Sequence, residues 1–283
     1  MNKKQLCEYI NYYQPYATNN PGWAKWYTAV APIKAQRTVK LLKRYKDSKS
    51  KVLDYGCGIG LSLYYLSKSY KDIIGIDVDP QNIEIAKKQF KKLDCKAKLQ
   101  LYDGKKLPYP DNTFDLVISM EVWEHVENPD LMLAEIERVL KPDGILHVTT
   151  ANKLWPIEPH YHLPFLSYLP YWLSDSYVKI MGRAPYYHDI HLPTYSEFKK
   201  SIEKYFLVSD VTFDSIINYK ELGLDKERGR IVPLIGEVLK FIYSFRSKFL
   251  LSYISNLTCG ILSRISLGWL FIAYPKKKKI LTD

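Results

Sequence analysis

The chain has 283 residues, of which 47% are hydrophobic and 25% charged, with a formal net charge of +11. That balance supplies a core and excludes intrinsic disorder, and the length fits one decorated α/β domain. The basic excess favours an anionic partner: nucleic acid, an anionic membrane surface or a phosphorylated molecule.

The N-terminus, MNKKQLCEYINYYQP, lacks the uninterrupted apolar stretch of a secretory signal, so a cytoplasmic protein is expected. Cys7, Cys57, Cys95 and Cys259 stand far apart without a C-x-x-C pair, which speaks against a disulfide framework or a zinc site. Residues 1–50 read as a helical N-terminal cap. The stretch Tyr12–Tyr27 is dense in Tyr and Trp, and a helix is predicted over Pro32–Tyr45.

From residue 51 the pattern changes to short apolar runs alternating with helical ones. Strands are predicted at Lys51–Asp54, Ile73–Asp77, Ala97–Leu101, Phe114–Met120 and Ile145–Thr150, with helices such as Gln81–Lys92 and Pro129–Leu140 between them. Pro142, Asp143 and Gly144 read as a turn feeding the fifth strand. This alternation predicts a doubly wound, mostly parallel sheet with helices on both faces, its ligand-binding core spanning 51–150. Residues 151–193, rich in Pro, Tyr, Trp and His, form an insertion long enough to cover an acceptor pocket. In 194–215 a helix over Tyr195–Lys204 and a sixth strand over Phe206–Phe213 are expected. An apolar, basic helical insertion fills 216–267, and 268–283 holds a seventh strand, Gly268–Tyr274, and a basic tail.

The motif V-L-D-Y-G-C-G-I-G carries the chemistry. Strand one ends at Asp54 and runs into Gly56, Gly58 and Gly60, where glycine lets backbone turn tightly and approach a ligand. Asp77 ends the next apolar run, where a carboxylate can accept from both hydroxyls of a ribose, and Asp103 follows strand three, placed to accept from an adenine amino group. A dinucleotide would use a similar unit. Yet the spacing here is G-x-G-x-G, and Asp54 sits where a pyrophosphate would meet its charge. Asp54 suits the α-ammonium of an amino acid joined to a nucleoside, which describes S-adenosylmethionine.

With these segments, Val52–Gly60, Ile73–Asp79, Asp103, Phe114–His125 and Leu140–Gly144, the chain resembles the class I S-adenosylmethionine-dependent methyltransferases, and within them the type 11 group that includes enzymes of quinone biosynthesis. The resemblance implies a seven-stranded, Rossmann-like sheet whose final strand is antiparallel and inserted. It also implies that the glycine loop holds the amino-acid part of the cofactor, Asp77 the ribose and Asp103 the adenine. Val78, Gly104 and Met120 stand beside them as further cofactor contacts.

Methyl transfer from a sulfonium is an in-line displacement, so the protein must position an acceptor and exclude water. A hydroxyl acceptor also needs a group to take its proton. Glu121, Glu124 and His125, at the end of strand four, are candidates for acceptor contact or proton handling, whereas Trp123 is expected to wall the pocket. His160, His162, His188 and His191 lie in the insertion after strand five. Of these, His160 and His162 are candidate bases. With Glu158 and Asp189 they include zinc or iron ligand types, but no H-x-x-x-H or C-x-x-C spacing supports a metal and none is expected. The favoured reading is histidines that bond neighbouring loops and line an acceptor pocket.

Phe249–Tyr274 is long enough to cross a bilayer, but Asn256 and Arg264 fall within it, and a mid-span charge is costly. Together with Leu234–Phe245 it reads instead as amphipathic helices that rest on an anionic membrane through residues 230–280, or as a cap on the core. The expected function is methyl transfer to a hydroxyl of a small or lipid-linked acceptor. A non-catalytic adaptor that binds the cofactor is the alternative. Nucleic-acid methylation is disfavoured, because no N-P-P-Y or D-P-P-Y motif follows strand four.

Overall fold

The computed structural model describes residues 21–225, 231–244, 264 and 266–276. Seven strands form one sheet: β1 Lys51–Tyr55, β2 Asp72–Asp77, β3 Lys98–Leu101, β4 Phe114–Met120, β5 Leu140–Ala151, β6 Phe206–Asp210 and β7 Gly268–Pro275. Their order is β3-β2-β1-β4-β5-β7-β6. The first five run parallel, and β7 lies antiparallel between β5 and β6. The sheet is therefore the doubly wound, mostly parallel one expected, and the sequence order of the strands reverses at β1, which lies between β2 and β4. Such a reversal opens a crevice at the carboxyl ends of the strands.

Helices α1 Pro21–Leu42, α2 Leu61–Leu66, α3 Pro80–Lys92, α4 Pro129–Val139, α5 Tyr171–Ile180, α6 Tyr195–Glu203, α7 Thr212–Ile217, α8 Tyr219–Leu222 and α9 Ile231–Ser244 complete the described chain. Several starts are written in the sequence. Asp79 accepts a hydrogen bond from the Gln81 amide (2.8 Å) ahead of Pro80, and Asn128 does the same for the Leu131 amide (3.0 Å) ahead of Pro129. Thr194 and Glu197 close a reciprocal capping box. Each satisfies amides that the first helical turn leaves without partners.

Adjacent strand residues point to opposite faces, and both faces are buried. Leu53, Val117 and Phe271 join α4 and α6 in one core layer, with Leu133, Ile136 and Phe198. Val52, Leu116 and Ile272 join α1, α2 and α3 in the other, with Leu41, Leu63 and Phe90. Phe198 stacks on Phe271 at 5.0 Å and on the fully buried Trp269 at 6.0 Å, so α6 fastens the antiparallel strand.

Two local expectations need correction, those for strand six and for helix α1. Strand six stops at Asp210, not Phe213, because the Asp210 carboxylate accepts from the Thr212 amide (2.9 Å) and turns the chain into α7. Phe213 is buried from a helix instead of a strand. Helix α1 covers Pro21–Leu42 and not Pro32–Tyr45, carrying Pro32 internally; the proline fixes a helical φ at the cost of one backbone hydrogen bond. The expected turn at Pro142–Gly144 appears as a bulge within β5, between the pairings of Leu140 with Phe114 and of Ile145 with Leu116. Trp123 is half-buried and packs edge-on against Phe198 at 5.8 Å. Tyr12–Asn20 and 249–263 lie outside the described residues, and with them most of the segment read as amphipathic. Among the described residues no helix is long and apolar enough to cross a membrane.

Replacing Phe198 with Ala removes a ring buried between two layers. Chemical denaturation should show a loss of about 3–5 kcal/mol, and a loss below about 1 kcal/mol would contradict the packing role given to α6.

Candidate active site

The glycine loop leaves β1 and turns into α2 at the carboxyl edge of the sheet. It is tied to β2 by two hydrogen bonds: the Cys57 amide donates to the Ile76 carbonyl and the Gly58 amide to Asp77 Oδ2, each at 2.8 Å. Asp77 Oδ1 accepts from the Asp79 amide (2.9 Å) and from Asn82 (3.3 Å). Both carboxylate oxygens thus position backbone, and each keeps acceptor capacity for a further donor. Gly56 and Gly58 have φ of +72° and +52°. A Cβ on Gly56 would lie 2.5 Å from Val122 Cγ2, whereas one on Gly58 would meet nothing within 4 Å. The loop is therefore pressed against the segment after β4 at Gly56 and open at Gly58. Gly60 caps the start of α2.

Asp54 is 2% exposed, and its Oδ2 has no hydrogen-bond partner. Burial, and then the Asp77 charge, push its pKa up to about 7. A buried carboxylate with an unused oxygen at the root of a glycine loop is costly unless a donor or cation comes to it. Further along the same edge Val78 is exposed, and a Cβ on Gly104 would sit 3.5 Å from its Cγ1. The two form an apolar ledge. Asp103 is held by the Lys105 and Lys106 amides, which lower its pKa. Met120 accepts a contact from the Thr38 hydroxyl at 3.3 Å. All nine residues expected to hold the cofactor come from the loops and strand ends of this one edge.

On the other side of Gly56 lies the segment Glu121–His125. Glu121 has φ of +57°, and its amide donates to the Thr149 carbonyl (3.1 Å) while its carboxylate accepts from the Thr149 hydroxyl (3.0 Å). Glu124 is fully buried; its Oε2 accepts from the Thr150 hydroxyl (2.8 Å) and its Oε1 has no hydrogen-bond partner. Burial, then the Glu121 charge, push the Glu124 pKa up. His125 is exposed as a residue. Its pKa is pushed down by burial and then by His160.

Residues 151–193, the segment expected to form a cover, supply His160, whose ring meets that of His125 edge-on at 5.3 Å. Its Nδ1 pairs with Glu158 Oε1 at 2.6 Å. Burial opposes the charged form of His160, but the Glu158 hydrogen bond and the charges of Glu158, Glu124 and Glu121 together raise its pKa. The other candidate base, His162, is exposed at a turn with φ of +56° and is not drawn into this cluster. His188 pairs with Asp175 (2.9 Å) and His191 with Tyr171 (2.6 Å), so these two bond parts of the cover to one another. Glu158, which the sequence offered only as a possible ligand, proves to be a fully buried support whose other oxygen also holds the His160 and Tyr161 amides.

A recess lined by Lys43, Arg44, Lys46, Lys49 and Asp115 adjoins the amino end of β1, the opposite edge from the glycine loop. It holds none of the candidate residues.

The two glycines differ in a measurable way. Gly56→Ala adds a collision to a left-handed backbone, whereas Gly58→Ala adds backbone strain alone. Gly56→Ala should be the more destabilising by about 1–3 kcal/mol in denaturant unfolding; equal losses would contradict the tight contact with Val122.

Residues 53–148 match a family described as methyltransferase domain. Over 105 residues the chain is 32% identical to a ubiquinone biosynthesis O-methyltransferase of Bartonella bacilliformis, covering 37% of this chain and 42% of that protein. Over 213 residues it is 33% identical to a probable chloroplastic tocopherol O-methyltransferase of Oryza sativa, covering 69% and 58%. The chain thus spans less than half of the first relative's length. Among solved structures, phosphoethanolamine N-methyltransferase 2 of Haemonchus contortus superposes with a TM-score of 0.51 at 20% identity, over 94% of this chain and 57% of that one, a likeness of fold. The order of the strands, the glycine loop with its two aspartates and these matches agree: the chain carries a class I methyltransferase domain of the type 11 group.

Proposed function

We propose that the chain is an S-adenosylmethionine-dependent methyltransferase acting on a hydroxyl of a small or lipid-linked acceptor. The observation that carries this reading is the edge built from Asp54, the glycine loop, Asp77, Val78 and Gly104. Its chemistry suits the cofactor part by part. Asp54 has an unused buried oxygen for the α-ammonium, Asp77 keeps lone pairs for ribose hydroxyls, and the Val78–Gly104 ledge ends at Asp103, an acceptor for an adenine amino group. Bound there, the cofactor supplies an electrophilic methyl group. The structural neighbour from Haemonchus contortus was solved with S-adenosylhomocysteine, which supports the same assignment.

The acceptor side rests on Glu121, His125 and His160, between the glycine loop and the cover of residues 151–193. A hydroxyl acceptor is favoured because the two relatives are O-methyltransferases of ubiquinone biosynthesis and of tocopherol. On this reading residues 51–150, 194–215 and 268–283 form the core, while 1–50, 151–193 and 216–267 cap it. A peripheral contact of 230–280 with an anionic membrane belongs to the same proposal. Helix α9 supports it by exposing Leu234, Val238 and Phe241 beside Lys240. Flotation with anionic but not neutral vesicles is the expected result, and equal recovery with both would remove the contact.

Asp54 gives a pH signature. In the free protein it is protonated below about pH 7; the ligand's ammonium favours the carboxylate, so binding expels a proton. The Kd for S-adenosylhomocysteine should rise close to tenfold per unit as pH falls from about 7 to 5.5 and level off near neutrality. Asp54→Asn should bind weakly with a flat profile. A flat wild-type profile contradicts the assignment.

Transfer itself is tested with methyl-labelled S-adenosylmethionine and source-cell extract, followed by partition of products between organic and aqueous phases. Label in an organic product, reduced at least about tenfold by Asp77→Ala, is the expected outcome. Label only in an aqueous product removes the lipid-linked acceptor, and binding without transfer to any acceptor favours an adaptor.

A further inference from the structure

We propose that Glu124, His125 and His160 form a binding site for one divalent transition-metal ion, of the Zn²⁺ class, beside the cofactor edge. One ligand atom from each of the three lies within 4.8 Å of the others. The residues arrive from two separate parts of the fold: the 3₁₀ turn Trp123–His125 that follows β4, and the cover after β5.

Glu124 is the second and independent observation. It is fully buried, one oxygen is anchored by Thr150, and the other has no hydrogen-bond partner. A buried carboxylate oxygen left unmatched beside two imidazoles calls for a cation. His160 is prepared in the way that metal-bound histidines are prepared. Its Nδ1 is engaged by the buried Glu158 carboxylate at 2.6 Å, which fixes the ring and leaves Nε2 as the free nitrogen. Glu158 is itself held by the His160 and Tyr161 amides. The His191 amide donates to the Glu124 carbonyl at 2.8 Å, so the cover is fastened to the turn that supplies two of the three ligands.

Two imidazoles and one carboxylate suit zinc and its first-row neighbours, not calcium or magnesium, which take mainly oxygen ligands. Ligand distances of about 2.0–2.2 Å require the three atoms to draw closer. The exposed His125 ring is the member with room to move. Three protein ligands leave a coordination position for an outside oxygen.

The ion's role rests on the function proposed above, although its binding does not. An acceptor hydroxyl that fills the open position becomes more acidic and releases its proton to solvent. The oxygen then uses a lone pair to form the O–CH₃ bond as the S–CH₃ bond breaks, and that bonding pair stays on sulfur. Alkoxide and sulfonium charges cancel, giving a methyl ether and S-adenosylhomocysteine.

The test uses the full chain, stripped with a chelator and titrated with Co²⁺ and then Zn²⁺, following the visible absorption of bound cobalt and its displacement. One ion per chain is expected. His160→Ala and His125→Ala should each abolish the cobalt spectrum, and Glu158→Gln should weaken binding about 10–100-fold. Melting temperature and S-adenosylhomocysteine binding, measured on each variant, separate loss of the ion from loss of the fold. No stoichiometric binding by wild type, or binding unchanged in folded His125 and His160 variants, overturns the site. If cobalt binds as expected while S-adenosylhomocysteine does not, the ion site stands and the proposed function falls.

Discussion

The carboxylate of Asp77 is the fixed point of the molecule. It ends β2 on the edge of the sheet, and three donors converge on it: the Gly58 amide, the Asp79 amide and the Asn82 side chain. Through Gly58 it sets the height of the glycine loop; through Asp79 it sets the start of α3, whose capping residue is that same aspartate. A loop pinned in this way can pass close to Val122 without a side chain at Gly56, and so the glycine loop and the segment Glu121–His125 share a wall. Moving one of these elements moves the other.

Beside that fixed point stands a group with an unmet need. Asp54 is buried beside a second carboxylate and lacks a partner for one oxygen. Stability alone gives no reason for such a group, since an apolar residue of similar shape would cost less to bury. On the function proposed above, its position favours a cationic ligand over a phosphate, which would distinguish this loop from the dinucleotide type. On that proposal electrostatics and backbone shape carry different parts of the recognition: the glycines make space, and the aspartate decides what fills it.

Much of this was legible in the sequence because it is local. Strands four and seven follow from runs of apolar residues between turn signals, and Asp54, the glycines and Asp77 follow from their places at strand ends. What the sequence hid was set by contacts across the fold. The Phe206–Phe213 run looks like a continuous strand, because burial of Val211 and Phe213 gives the same alternation whether the chain stays extended or turns at Asp210. Pro32 looks like a helix start, since only packing along α1 allows a proline inside. Likewise the meeting of His125 with His160, and the support of Glu158 beneath it, joins residues from either side of β5. No spacing rule announces it, and the four histidines of 151–193 look alike until the structure separates His160, which faces His125, from His188 and His191, which bond Asp175 and Tyr171.

The proposed function requires the Asp54–Asp77 edge to select a nucleoside carrying an amino acid over a dinucleotide. Calorimetric titration of the purified chain with S-adenosylhomocysteine, repeated in the presence of excess NAD, tests it most directly. One S-adenosylhomocysteine site per chain, with an affinity unaffected by NAD, is the expected result. Displacement by NAD, or no S-adenosylhomocysteine binding at all, would contradict it.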